Sequence, residues 1–184
     1  MKLGAVLVLA GVLAACARRP ALEVFGDIPK FELTAQDGRP FDSRTLAGKI
    51  WVADFIYTTC PGPCPRMTSQ MREVQDAILN IPDVRLVSLT IDPVNDTPPV
   101  LAAYAKLHGA SPAIWYFLTG PVPTLQMLDR DAFKLGDIDG TFEHSTRFVL
   151  VDRQGRIRGY YDTSEALAIP KVISDIRTLA SERT

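Results

Sequence analysis

One stretch constrains this chain more than any other. It runs Lys49-Ile50-Trp51-Val52-Ala53-Asp54-Phe55-Ile56-Tyr57, then Thr58-Thr59-Cys60-Pro61-Gly62-Pro63-Cys64-Pro65, and then on to Met67, Met71, Val74, Ile78 and Leu79 at helical spacing. A nearly continuous apolar run is the pattern of a strand buried on both faces of a largely parallel sheet, and the periodic stretch reads as an amphipathic helix. The join between them carries two thiols with three residues between them. That spacing lets both sulfurs reach one metal ion or close into one disulfide. Pro61, Pro63 and Pro65 each fix a backbone φ and withhold an amide donor, so the loop is stiff. Pro65 suits the first position of a helix, which places Cys64 at or beside the N-cap, where the positive end of the helix dipole is expected to favour thiolate.

The remaining chain alternates strand and helix signals. Phe31-Glu32-Leu33-Thr34 and Pro40-Phe41 flank Asp37-Gly38, the signature of a β-hairpin, and residues 43–47 read as one helical turn closed by Gly48. Residues 84–91 are a strand, and Asp92-Pro93-Val94-Asn95-Asp96-Thr97 leads into a helix over 98–108 capped by Gly109. Residues 113–119 read as a strand, 122–133 as a helix, and 134–143 as irregular chain leading to His144-Ser145-Thr146. Strands over 147–151 and 156–161 with Asp152-Arg153-Gln154-Gly155 between them form a second hairpin. The last helix runs from near Ser164 to Ala180, with Pro170 marking a kink or a late start. This order predicts an α/β fold with a central mixed β-sheet flanked by helices. The two-thiol loop between a buried strand and a helix narrows it to a thioredoxin-like fold with an N-terminal β-hairpin extension.

Length, charge and cysteine count limit the chemistry. At 184 residues, with 47% hydrophobic and 22% charged residues, one well-buried domain is expected. The charge is nearly balanced and Arg18-Arg19 is the only basic cluster, so no nucleic-acid partner is expected. Lys2 followed by an apolar run over 3–15 reads as a signal peptide, too short for the roughly 20 residues of a membrane span. Leu13-Ala14-Ala15-Cys16 resembles the lipobox of bacterial lipoproteins, in which the cysteine becomes the lipidated first residue. The organisation expected is therefore a signal peptide over 1–15, a tether over 16–24 lipid-anchored at Cys16, and one domain over 25–184 on the periplasmic face of a membrane. With Cys16 given to lipid, Cys60 and Cys64 are the remaining thiols. One such small loop removes little entropy from the unfolded chain, so redox or metal chemistry explains the pair better than stability.

Thr59-Cys60-Pro61-Gly62-Pro63-Cys64-Pro65, followed about eighty residues later by His144-Ser145-Thr146, a Phe-Val-Leu-Val strand and an Asp-x-x-Gly turn, resembles the Sco/SenC family of copper-binding assembly factors. The resemblance spans about residues 23–180. It implies a copper site on Cys60, Cys64 and His144, and a membrane-anchored metallochaperone, not an enzyme, that passes copper to the dinuclear copper site of cytochrome c oxidase. It implies as partners a copper-accepting oxidase subunit and a copper donor or thiol reductant. Two thiolates and an imidazole suit Cu(I) and can also hold Cu(II), whereas a structural zinc site normally presents four protein ligands. Asp92 and Asp96 resemble the aspartate loop of the same family and stand as supporting groups or partner contacts, although Asp96 or Thr97 before Pro98 also has the pattern of a helix N-cap. His108 reads as a structural residue at a helix end, and Met67 and Met71 as core. The alternative function is a thiol-disulfide oxidoreductase in which Cys60 and Cys64 are the redox pair. Its weakness is the three-residue spacing and His144-Ser145-Thr146 where such enzymes carry a proline. A peroxiredoxin-like peroxidase shares the fold but lacks an evident arginine partner in the sequence.

Overall fold

The computed structural model describes residues 21–136 and 145–182. They contain eight strands in one sheet: β1 Gly26–Asp27, β2 Glu32–Ala35, β3 Pro40–Asp42, β4 Ile50–Ile56, β5 Val84–Thr90, β6 Trp115–Thr119, β7 Arg147–Val151 and β8 Arg156–Asp162. The spatial order is β1-β8-β7-β4-β5-β6-β2-β3. β4, β5 and β6 are parallel, and the flanking pairs are antiparallel. The sheet is therefore mixed, with β4 at its centre and every β4 residue buried.

The hairpin of β2 and β3 turns at Gly38, whose φ of +80° an L side chain seldom adopts. It extends the sheet at the β6 edge, and the Gln36 amide straps it there by donating to the Trp115 carbonyl and accepting from the Phe117 amide. A 3₁₀ turn, Ser43–Leu46, follows and leads into β4.

Helix α1, Cys64–Ile78, buries Met67, Met71, Val74 and Ile78 against one face of the sheet. At about 1.5–3 kcal/mol for each large side chain, that burial outweighs the modest helix propensity of its polar residues. Both methionines are fully buried, as core side chains. α2, Pro98–Leu107, and α4, Ala168–Ser181, share this face, with Leu101, Tyr104, Val172 and Ile176 in the same core. α4 starts four residues later than Ser164. Pro170 lies in its first turn, where a missing N–H costs no intrahelical bond, so it marks a late start and not a kink.

The opposite face is covered by the hairpin and by α3, Val122–Gln126, which runs directly into a π-helical turn, Met127–Ala132. A single helix over 122–133 was expected. The Phe133 amide instead donates to the Leu128 carbonyl at 2.8 Å, and the wider turn delivers the Phe133 ring edge-on to Trp51 and Phe55, at 5.9 and 5.5 Å between centroids. Packing under β4 thus sets the local helix type.

The domain also takes hold of the chain earlier than residue 25. Arg158, itself buried, donates to the Leu22 carbonyl at 2.7 Å and the Glu23 carbonyl at 3.2 Å, and its charge is met by Asp152 at 2.8 Å. Two residues assigned from sequence to the tether are therefore part of the folded unit, and β1 pairs with β8 immediately after them. The signal-peptide segment and Cys16 lie outside the described residues, among which no helix is long and apolar enough to cross a membrane.

Candidate metal centre

The site is built at the carboxyl end of β4, the central strand. β4 and β5 pair along their full lengths, and the Ile91 amide adds one more rung to the Ile56 carbonyl at 2.9 Å. Past that rung the two chains separate, one into residues 57–63 and the other into residues 91–97.

Asp96 ties the two segments together. Its carboxylate accepts the Thr58 amide at 3.2 and 3.3 Å, the Thr58 hydroxyl at 2.5 Å and the Thr90 hydroxyl at 2.5 Å, and it is fully buried. The N-cap pattern at this place does not describe it. Thr97 occupies the cap position and makes no side-chain cap bond. Asp92 closes the base of the same turn, its carbonyl accepting the Asp96 amide and its carboxylate the Asn95 side-chain amide, both at 2.8 Å. Asp92 and Asp96 thus support the cysteine loop from the neighbouring strand end.

Cys64 is the first residue of α1 and Pro63 its N-cap, one position earlier than the sequence suggested, with Pro65 at the second position. The two thiols are buried and free of a disulfide, Cys60 7% exposed and Cys64 fully enclosed. The Cys60 and Cys64 side chains lie near enough to act on each other's titration, and Cys60 and the Tyr57 phenol do the same. The helix terminus was expected to favour thiolate at Cys64. Burial instead pushes that thiol up, Cys60 adds to it, and the Tyr57 amide opposes it only in part. In the absence of a metal, Cys64 is a protonated thiol at neutral pH.

Two residues near the sulfurs were hidden in the sequence. Asp54 was counted within an apolar run, yet it is a fully buried carboxylate whose charge acts on both Cys64 and Tyr104. Tyr104 is pushed up to about 12, chiefly by burial, and its hydroxyl shares a 2.8 Å hydrogen bond with Thr68. His108 ends α2 with its ring 4.3 Å from that of Tyr104 and its basicity lowered by burial, consistent with a structural role.

His144 lies outside the described residues, and among the described ones no group of three His, Cys, Asp or Glu is gathered for a metal. The structure gathers Cys60 and Cys64 in one loop and ties that loop, through Thr58, to Asp96 and the Asp92 turn. Two soft sulfurs in one loop fit a soft monovalent ion such as Cu(I), which accepts low coordination numbers, better than a structural zinc ion.

Residues 25–181 match the SCO1/SenC family model. The chain belongs to the SCO1/SenC family. A candidate copper-binding protein of Stutzerimonas stutzeri is 33% identical over 142 residues, covering 72% of this chain and 68% of that protein. The crystal structure of a SCO1/SenC family lipoprotein from Bacillus anthracis superposes with a TM-score of 0.79 at 32% identity, over 90% of this chain and 100% of that one. The structure of BsSco, described with a disulfide switch as a member of the Sco family of cytochrome c oxidase assembly proteins, gives 0.77 at 28% identity, over 89% and 99%. The fold is the thioredoxin-like one that these SCO1/SenC proteins share, and the sheet order and strand directions above are its expression here.

Proposed function

We propose that this SCO1/SenC protein is an exported copper chaperone that binds one copper ion through Cys60, Cys64 and His144 and passes it to the copper-accepting subunit of a terminal oxidase, at the dinuclear site of cytochrome c oxidase. The observation that carries the proposal is that two buried, unbridged thiols, Cys60 and Cys64, stand together in the turn from the fully buried central strand into α1. Such a pair can take a soft ion without rearrangement of the fold. Family membership supports the delivery role, because BsSco, 28% identical, is named among cytochrome c oxidase assembly proteins.

Sequence and topology support His144 as the third ligand. Two residues, Ser145 and Thr146, separate it in sequence from β7, and β7 runs antiparallel to β4, with Trp51 opposite Val151 and Ala53 opposite Val149. β7 therefore begins at the edge of the sheet where β4 ends. Three protein ligands leave a coordination position open, as cargo that must depart requires. The anchor at Cys16 follows the lipobox-like sequence, and a lipoprotein relative supports it.

A second reading rests on the same pair. Two thiols so placed can close into a disulfide, giving two electrons and two protons to a target disulfide that becomes two thiols. Copper stoichiometry of the reduced domain separates the readings. One ion per chain in the parent, lost in Cys60→Ser, supports the chaperone. Disulfide-exchange turnover with no stoichiometric copper supports the oxidoreductase.

A further inference from the structure

The chain from Asp92 through α2 grips both sulfur-bearing stretches, a role that neither the motif nor the family comparison assigns to it. One grip lies before Cys60, where the Asp96 carboxylate accepts the Thr58 amide and hydroxyl. The other lies after Cys64. Thr68, four residues on and so one turn along the same side of α1, shares a 2.8 Å hydrogen bond with the Tyr104 hydroxyl of α2. Both residues are buried. Stiff chain joins the two grips. The Asp96 amide donates to the Asp92 carbonyl at 2.8 Å and the Leu101 amide to the Thr97 carbonyl at 2.9 Å, while Pro98 and Pro99 fix φ in the first turn of α2. Leu101 is fully buried and the Tyr104 ring meets Phe117 edge-on at 6.0 Å, which seats α2 on the sheet. The Thr90 hydroxyl roots Asp96 in β5.

We propose that Tyr104 is a positioning residue of the copper site: through Thr68 it holds the turn that begins with Cys64, while Asp96 holds the loop that carries Cys60, and the two grips together set the spacing of the sulfurs. The inference rests on the reading of Cys60 and Cys64 as copper ligands. A spacing has two ends, so it is fixed only while both grips hold. An ion that enters a pair already spaced for it does not have to order the loop and the helix start as it binds. Disulfide closure brings two sulfurs to about 2.05 Å, closer than unbridged thiols can stand, so closure works against the bracket. On both counts the bracket favours the open pair that copper needs.

The test uses the parent, Tyr104→Phe, Asp96→Asn and the double variant. Tyr104→Phe keeps the ring and its packing and removes the bond to Thr68. Two quantities are measured, Cu(I) affinity by competition titration and the dithiol–disulfide balance in a glutathione buffer. In that buffer one glutathione disulfide takes two electrons and two protons from the pair and becomes two thiols, so this readout needs no copper. Each single variant is expected to weaken Cu(I) binding about five- to tenfold, the worth of one hydrogen bond, and to move the balance toward the disulfide. The double variant should bind little more weakly than the weaker single variant, although the two losses of stability in chemical denaturation add, as they do for separate sites. Thr68→Val should match Tyr104→Phe, and Thr68→Ser, which keeps the hydroxyl, should match the parent. Unchanged affinity and balance in a folded Tyr104→Phe protein, or affinity losses that multiply in the double variant, overturn the proposal. A reduced parent that binds no Cu(I) overturns the copper reading itself, and the inference with it.

Discussion

The Asp96 carboxylate accepts the Thr58 hydroxyl at 2.5 Å across 38 residues of chain, and this bond fixes the residue two positions before Cys60. Thr58 and Thr90 together present three donors to one buried carboxylate. Asp96→Asn keeps the shape but turns an amide group toward some of those donors. It is expected to cost about 1–3 kcal/mol in chemical denaturation and to weaken Cu(I) binding in a competition titration by about tenfold, because the loop that carries Cys60 loses its strut. Full retention of both would show that the clamp has no part in the site.

Copper binding is expected to strengthen with rising pH. Burial holds the Cys64 thiol above its ordinary range, so it keeps its proton through neutral pH, and an incoming ion must displace that proton. Affinity should therefore climb by about tenfold per pH unit for that one proton, measured by Cu(I) competition across the neutral range. A flat profile would mean that Cys64 is not a ligand in its thiolate form.

The Asp152–Arg158 pair, 2.8 Å apart and buried on both sides, is expected to dominate acid stability at the β8 edge. Burial alone would raise Asp152, but hydrogen bonds from Arg156, Arg158 and the Gln154 amide outweigh it and hold the carboxyl below its usual range. A lowered folded value contributes stability above the unfolded carboxylate pKa of about 4, and that contribution fades as pH falls through the folded value. Asp152→Asn should flatten the acid limb of a stability–pH curve. Arg158→Met should cost about 1–3 kcal/mol, since it takes one charged donor from the buried Asp152 carboxylate while Arg156 remains, and should expose residues 21–24 to proteolysis by releasing the Leu22 and Glu23 carbonyls.

These residues also mark where sequence reasoning ends. The strand–loop–helix unit, the hairpin at Gly38 and the alternation of β4, β5 and β6 with helices were legible, because burial pattern and turn chemistry are local signals. Asp54 was not, since one carboxylate inside an apolar run does not change the run's average. Nor was the partner of Asp96, because a helix N-cap and a long-range clamp have the same local pattern. β1 is two residues long and exists through β8 and Arg158, and the π turn exists because Phe133 must reach Trp51 and Phe55. His144 was legible only through the family resemblance, and it lies outside the described residues.

On the proposed reading, one copper ion is shared by two thiolates and the His144 imidazole. X-ray absorption on the Cu(I)-loaded domain, parent against His144→Ala, tests it most directly. Two sulfur scatterers and one imidazole nitrogen are expected in the parent, with the nitrogen lost and both sulfurs retained in the variant. An imidazole contribution that survives His144→Ala, or a copper shell without two sulfurs, would contradict it.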